Sequence, residues 1–207
     1  MTEPIVGVIL AGGLSRRMGG GDKCLRLLAG RPMLAHIIDR AAPQVGHLIV
    51  NANGDPGRFQ EFGLPVVADT VEGFAGPLAG ILAGLDWTAG HQPACRYVAS
   101  FAGDAPFFPR NLVARFLAAV HEKGADLACA VSAGQAHPVF GLWRVDLREE
   151  LRNALVNEQI YKVDRWTARY KLAPVEFAAT PHDPFYNANK PEDLAAAERL
   201  LAGAKIR

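Results

Sequence analysis

The residues best suited to chemistry lie in one short loop, residues 10–23, with the sequence LAGGLSRRMGGGDK. The loop contains five glycines and three cationic side chains, those of Arg16, Arg17 and Lys23. Glycine lets main-chain N–H groups approach a ligand closely, and converging N–H groups beside fixed positive charge bind phosphate. The apolar run at residues 5–10 is typical of a strand buried on both faces. The pattern predicts a polyphosphate site at the end of this strand.

Two common phosphate-binding motifs do not describe this loop. It lacks the G-x-x-x-x-G-K-[ST] pattern of P-loops and the G-x-G-x-x-G pattern of dinucleotide-binding folds. A flexible glycine-rich surface loop with solvated arginines is the alternative interpretation. The position after the first buried strand and the density of cations favour phosphate.

Polar side chains also follow three further predicted strands, at Asn51, Asp69 and Asp104. Ligands bind at the carboxyl ends of strands in open α/β sheets. Asn51 could read a base edge or a ribose, although an ordinary turn asparagine is the alternative. Gly103 and Pro106 hold Asp104 in a turn, and a single carboxylate can bind Mg²⁺ together with substrate phosphates. A purely turn-forming role for Asp104 is the competing interpretation.

The segment GPLAG at residues 76–80 opens a predicted apolar helix. Pro77 suits the first turn of a helix. Gly76 and Gly80 permit close approach of a partner backbone or of a base. Close packing of the helix on the sheet is the alternative explanation for Gly80.

Strand-like and helix-like patterns alternate along the chain, which favours an α/β fold with a mostly parallel sheet. The predicted strands cover residues 5–10, 47–50, 64–68, 97–101, 126–131, 139–143 and 175–177. The predicted helices cover residues 32–42, 76–87, 109–123, 147–156 and 191–201, and Asp146 is expected to cap the fourth.

Two segments are harder to assign. His137 and Pro138 are predicted to form a turn between two strands rather than to supply an acid or a base, because the histidine has no partner visible in the sequence. Residues 160–171 contain four cationic side chains, Lys162, Arg165, Arg169 and Lys171. Such a run is typical of a solvated helix face, and a platform for an anionic second substrate is the alternative.

The composition limits the classes of function. A chain of 207 residues that is 50% hydrophobic can bury one core, so we expect a single domain. A net charge of +1 does not favour a nucleic-acid-binding surface. The three cysteines have no C-x-x-C spacing, which indicates reduced thiols in the cytoplasm rather than disulfides or zinc. No signal peptide or apolar run near the roughly 20 residues of a membrane span is visible.

The ordered set of motifs resembles the molybdenum cofactor guanylyltransferase family. The resemblance covers most of the chain and includes a glycine loop, two Asn-x-Asn pairs, a strand-end aspartate, GPLAG, Asp-x-Pro and His-Pro. The matching positions are residues 10–23, Asn51, Asn53, Asp69, residues 76–80, Asp104, His137, Pro138, Asn187 and Asn189. Relatives that use CTP or make nucleotide sugars usually carry Leu-Ala-Ala-Gly in the loop, so Gly12 favours a guanine nucleotide.

One position departs from the family pattern. Relatives tend to carry two arginines before a Val-x-x-aromatic stretch, whereas Tyr161 and Lys162 precede Val163 and Trp166 in this chain. Lysine keeps the positive charge but lacks the bidentate fork that suits phosphate.

The resemblance implies a three-layer α/β/α Rossmann-like nucleotidyltransferase fold with a mostly parallel, mixed central sheet. It also implies transfer of GMP from GTP to the terminal phosphate of molybdenum-bound molybdopterin, with release of pyrophosphate. Mg²⁺ is the implied cofactor. Transient contact with cofactor-biosynthesis or acceptor proteins is expected, whereas nucleic acid and membrane are not expected as partners.

The same resemblance assigns roles to individual residues. The implied catalytic residues are Lys23, Arg16, Arg17 and Asp104, and Asp104 is the implied metal ligand. The implied nucleotide contacts are Leu10, Ala11, Gly12, Gly13, Lys23, Asn51, Asp69, Gly76, Pro77, Leu78 and Asp104. The implied pterin contacts are Lys162, Asn187 and Asn189. Three alternatives remain open: a cytidylyltransferase acting on the same pterin, a sugar-phosphate nucleotidyltransferase, and a non-catalytic nucleotide-binding module.

Overall fold

The structure, a computed structural model, describes residues 3–12, 22–71, 73, 76–188, 193–195 and 197–199. The strands within these residues are β1 (Ile5–Leu10), β2 (Leu27–Leu28), β3 (Arg31–Pro32), β4 (His47–Asn51), β5 (Val66–Val67), β6 (Tyr97–Ala102), β7 (Leu127–Ser132), β8 (Gln135–Arg144) and β9 (Leu172–Phe177). The helices are α1 (Met33–Ala41), α2 (Pro77–His91), α3 (Leu112–Lys123), α4 (Arg148–Val156) and α5 (Val163–Thr167). Residues 193–195 and 197–199 are also helical.

One seven-stranded sheet forms the centre of the molecule, with the strand order β5-β4-β1-β6-β8-β7-β9. Strand β8 pairs antiparallel with β6 and β7, and the other neighbouring strands pair in parallel. Strands β2 and β3 form a separate antiparallel pair. The sheet is therefore mixed and mostly parallel, as the family resemblance implies.

Helices cover both faces of this sheet. Successive residues of a strand point to opposite faces, so neighbouring residues of one strand pack against different helices. In β1, Ile5 and Ile9 join the core cluster that also contains residues of α1 and α3. Val6 and Val8 join the second cluster, which contains residues of α2 and α4. This three-layer arrangement confirms the expected fold class.

The order of the strands fixes where a ligand can bind. From β1 the chain passes through α1 to β4 on one side, and β6 pairs with β1 on the other side. The carboxyl end of β1 is thus a topological switch point, where open α/β sheets form a ligand-binding crevice. The glycine-rich loop begins at this point.

The predicted turn at His137 and Pro138 is wrong. Both residues lie within β8, which begins earlier than expected. The β7–β8 register is irregular here: Cys129 pairs with Gly141 and Ala130 with His137, so residues 138–140 have no partner in β7. Proline lacks an N–H donor and is tolerated in a strand at an irregularity of this kind.

Smaller differences concern the ends of elements. The strand predicted at residues 64–68 is limited to Val66–Val67. Residues 160–171 contain the short helix α5. Asp146 does not cap α4, because the N-cap residue is Leu147 and the Asp146 carboxylate accepts hydrogen bonds from Arg144. The beginning of the helix predicted at residues 191–201 lies outside the described residues.

Candidate active site

The end of β1 is held tightly between its neighbours. Gly103 N donates to Leu10 O at 3.1 Å, and Ala11 N donates to Asn51 O at 2.9 Å. A Cβ on Gly103 would lie 2.6 Å from Leu10 O, so only glycine permits this approach. Leu10 and Ala11 therefore begin the loop at a fixed position, and Gly12, the next residue, is exposed.

Lys23 and Asp104 meet at this edge of the sheet although 81 residues separate them in sequence. Lys23 begins a 3-10 helix, Lys23–Leu25, at the other end of the loop. Its Nζ lies 2.7 Å from Asp104 Oδ2, and the side chains are 14% and 29% exposed. The structure thus brings a cation of the loop and the strand-end carboxylate together.

Asn51, Asn53 and Asp69 form a second polar group on the neighbouring strands. Asn51 Nδ2 donates to Asp69 Oδ1 at 2.9 Å, and Asn53 Nδ2 donates to Asp69 Oδ2 at 2.8 Å. Asp69 N in turn donates to Asn53 Oδ1 at 2.9 Å. Asn51 is 5% exposed and also donates to Val67 O. This network fixes the Asp69 carboxylate, so Asn51 is more than a turn asparagine.

Helix α2 begins beside this network. A Cβ on Gly80 would lie 2.3 Å from Asn51 Oδ1, so glycine is needed for the helix to pack against Asn51. Gly76 and Pro77 are exposed at the start of the helix. Leu78 is 1% exposed and its side chain joins the core, which leaves only its main chain for a ligand.

The implied pterin residues lie around the same edge. Ala188 N donates to Asp104 O at 2.9 Å, which places the exposed Asn187 next to Asp104. A Cβ on Gly76 would lie 3.9 Å from Tyr161 O, so the exposed Lys162 adjoins the start of α2. Four of the residues implied by the resemblance, Gly13, Arg16, Arg17 and Asn189, lie outside the described residues.

His137 has partners that the sequence did not reveal. Its Nε2 lies 2.6 Å from Ser132 Oγ, and Ser132 Oγ donates to Asp183 Oδ1 at 2.9 Å. A hydroxyl carries one proton, so His137 donates to Ser132. The ring of His137 stacks on Phe185 at 4.5 Å. His137 therefore fastens the segment 183–188 that reaches Asp104.

Burial lowers the pKa of His137, and the nearby Asp183 carboxylate opposes this shift. Asp183 and Phe185 lie more than 40 residues away along the chain, so no local pattern could have indicated them.

Cys24, Cys95 and Cys129 are free and buried. Burial, with a smaller contribution from Asp22, raises the pKa of Cys24 to about 12, so proximity to Lys23 does not activate the thiol.

Across the part of the chain that the structure describes, no helix is long and apolar enough to span a membrane. Within the same residues, no group of three or more His, Cys, Asp or Glu side chains could hold a metal.

Comparison with known proteins adds independent information. Residues 7–173 match the model of the family described as MobA-like NTP transferase domain. The chain is 61% identical over 201 residues to a molybdenum cofactor guanylyltransferase of Bradyrhizobium sp. (strain ORS 278), covering 97% of this chain and 95% of that protein. It is 59% identical over 199 residues to the protein of the same name from Nitrobacter hamburgensis, covering 96% and 95%.

The fold also matches a solved structure. Molybdopterin-guanine dinucleotide biosynthesis protein A from Archaeoglobus fulgidus superposes with a TM-score of 0.74, covering 96% of this chain and 99% of that chain. The two sequences are 20% identical, so this likeness concerns the fold.

Proposed function

Because this chain belongs to the molybdenum cofactor guanylyltransferases, within the MobA-like NTP transferases, we propose that it transfers GMP from GTP to the terminal phosphate of molybdenum-bound molybdopterin. Pyrophosphate is the second product. The observation that carries this proposal is the Lys23–Asp104 ion pair at the carboxyl ends of β1 and β6, because it joins a phosphate-binding cation to a potential metal ligand.

The nucleophile of this reaction is a phosphate monoester. Its second pKa is about 6, so at neutral pH it is already largely dianionic and needs no general base. The obstacle is electrostatic, since one polyanion must attack the α-phosphorus of another. Catalysis then consists of positioning and charge neutralisation, as in phosphoryl transfer generally.

Asp104 suits the role of magnesium ligand. It offers hard carboxylate oxygens, and Mg²⁺ commonly uses one or two carboxylates together with substrate phosphates. The bound ion would neutralise charge on the phosphates. Lys23, whose Nζ lies beside this carboxylate, is within reach to stabilise the charge that builds on the leaving pyrophosphate. Arg16 and the loop amides would share that role, and Arg17 would meet the incoming phosphate.

Asp69 suits recognition of guanine. Each of its carboxylate oxygens accepts one hydrogen bond from an asparagine amide, and each oxygen has a further lone pair. Guanine offers two neighbouring donors, N1–H and the 2-amino group, which a carboxylate can accept together. The Watson–Crick edge of cytosine offers an amino donor but an acceptor at N3, so the same carboxylate would disfavour CTP.

The second substrate would bind near Asn187, which adjoins Asp104, and near Lys162, which adjoins the start of α2. Asn189 belongs to the same proposed group. Lys162 would contact a phosphate as a point charge, because lysine lacks the bidentate fork of arginine. The product would pass to acceptor enzymes through transient contacts.

The test is release of pyrophosphate from GTP and Mg²⁺ in the presence of molybdenum-bound molybdopterin. We expect release with GTP and much less with CTP. Preference for CTP would indicate a cytidylyltransferase, and release with sugar 1-phosphates would indicate a sugar-phosphate enzyme. Binding of GTP without release with any acceptor would indicate a non-catalytic module, and each of these results would overturn the proposal.

Replacing Asp104 by asparagine tests the metal role separately. We expect Asp104→Asn to remove most Mg²⁺-dependent turnover, because the amide lacks the negative charge that holds the cation. Pyrophosphate release measured across a range of Mg²⁺ concentrations would show this. Normal Mg²⁺-dependent turnover in the variant would contradict the assignment of Asp104 as the metal ligand.

A further inference from the structure

We propose that Arg58 is a positioning residue that holds the Lys23 end of the glycine-rich loop in register with the Asn51–Asn53–Asp69 network. This inference rests on the proposed function, because it concerns how the two ends of one nucleotide are aligned. Arg58 lies in the 3-10 helix Pro56–Phe62, which follows β4. It belongs to none of the motifs that the sequence singles out.

The guanidinium of Arg58 joins two segments that are distant in sequence. Its Nη1 lies 2.7 Å from Asp22 Oδ2. Its Nη2 donates to Asn53 O at 2.7 Å, and its Nε donates to Asp55 O at 2.9 Å. All three nitrogens of the planar group therefore have an acceptor, which fixes its orientation.

The surroundings keep this guanidinium in place. Its central carbon lies 5.2 Å from the centre of the Phe59 ring, and Phe59 is 1% exposed. Asp55, whose carbonyl accepts from Nε, also accepts from Gly57 N at 2.9 Å through its side chain. A lysine in place of Arg58 would provide one point charge and could not reproduce this fork of contacts.

Two contacts of Arg58, those with Asp22 and Asn53, lead directly to residues of the proposed site. Asp22 immediately precedes Lys23, and Asp22 O accepts from Leu25 N at 3.1 Å in the turn that carries Lys23. Asn53 holds Asp69 through its side chain. The path from Lys23 to Asp69 thus runs through Asp22, Arg58 and Asn53. The Asp22 side chain is 12% exposed and the Arg58 side chain 35% exposed, so the pair is partly shielded from solvent on the Asp22 side.

This connection has a kinetic consequence. Lys23 must be aligned with the leaving phosphates in the transition state, and a misplacement of about 1 Å by a change away from the chemistry can cost roughly 100-fold in rate. Arg58→Ala should therefore lower kcat by about 10- to 100-fold. The KM for GTP should change much less, because Arg58→Ala removes none of the side chains that are proposed to contact the nucleotide.

Matched variants separate positioning from other roles. Arg144→Ala is the control, because the Arg144 side chain is also 35% exposed and also has ion-pair partners. Arg144 lies in β8 opposite Tyr97, the first residue of β6, and so at the other end of that strand from Asp104. We expect Arg144→Ala to keep wild-type kcat and both variants to melt at similar temperatures. Arg58→Lys should not restore kcat. Recovery of full activity with lysine would show that only charge matters and would overturn the proposal.

A double-mutant cycle with Asp22→Ala tests the proposed path. If Arg58 acts through Asp22, the double variant should be no slower than the slower single variant, because the second change removes an interaction that is already lost. Multiplied effects on kcat would show that Arg58 acts independently of Asp22. A fall in kcat accompanied by a melting temperature well below that of Arg144→Ala would assign Arg58 a merely structural role. Either result would overturn the proposal.

Hydrogen exchange provides a measurement that does not depend on turnover. Arg58→Ala should accelerate exchange at the amides of Leu25 and Arg26, which bond to Asp22 and Lys23, at least about tenfold relative to Arg144→Ala. Unchanged exchange would overturn the role of Arg58 even if the enzyme is active. If Arg58→Ala accelerates exchange but the wild-type protein shows no guanylyl transfer, the positioning role of Arg58 would stand and the proposed function would be refuted instead.

Discussion

The Lys23–Asp104 ion pair matters more for the proposed reaction than for the stability of the fold. The ion pair spans 2.7 Å, and both side chains retain contact with solvent. Pairs that solvent can reach typically contribute about 0–1 kcal/mol to stability. The pair therefore adds little to the free energy of folding, and its value lies in holding the cation and the carboxylate at one place. Substitution of either residue should affect the proposed reaction far more than the fold.

Replacement of Lys23 tests this separation. Lys23→Ala should lower turnover by about 10²- to 10³-fold, because a preorganised group in the role proposed for Lys23 typically stabilises a transition state by about 2.7–4 kcal/mol. Pyrophosphate release and thermal unfolding would be measured together. Lys123→Ala is the control, because the Lys123 side chain donates to Pro174 O at the end of α3, away from the site. Equal loss of activity in the two variants would contradict the assignment.

Helix α2 shows how an element places a site. Its glycines let the helix lie close to the strands: a Cβ on Gly80 would meet Asn51, and one on Gly84 would lie 3.1 Å from Val8. Gly90, near the end of the same helix, has no neighbouring atom within 4 Å of an added Cβ. Gly80 therefore requires glycine for packing, Gly84 is tightly packed against Val8, and Gly90 has no such constraint.

The two kinds of glycine in α2 should respond oppositely to alanine. Gly80→Ala should destabilise the protein by about 1–3 kcal/mol through overpacking and should displace Asn51. Gly90→Ala should stabilise it by roughly 0.5–1 kcal/mol, because alanine loses less backbone freedom on helix formation. Denaturant unfolding of both variants measures the difference. The close packing would be refuted if Gly80→Ala were as stable as the wild type.

At the scale of the whole molecule, the carboxyl-terminal part of the chain completes the site. Ser132 of β7 and His137 of β8 contact Asp183 and Phe185, which holds the segment 183–188 in place. The end of this segment bonds to Asp104, which follows β6. Phe185, which is 2% exposed, anchors the segment in the core. Asn187 therefore owes its position beside Asp104 to contacts among three distant parts of the sequence.

His137 should make the stability of this arrangement depend on pH. Burial lowers its pKa from the ordinary value of 6.5, so the unfolded chain binds the proton more tightly. Its contribution is neutral above about pH 6.5 and reduces stability progressively below it. Between about pH 7 and pH 5, the free energy of unfolding should fall more steeply for the wild type than for His137→Asn. Equal slopes for the wild type and His137→Asn would refute this role.

The sequence by itself determined the alternation of elements, the position of the glycine-rich loop, and the charged and amide side chains of Lys23, Asn51, Asp69 and Asp104 from which the proposed site is built. These features follow from local patterns of apolar residues, glycines and charges, which act over a few neighbouring positions. Only the tertiary structure decided that His137 lies in a strand, that it has Ser132 and Asp183 as partners, and that Arg58 joins Asp22 to Asn53. Such contacts arise from the order in which strands pair, and that order places residues together without leaving a periodic signal in the chain.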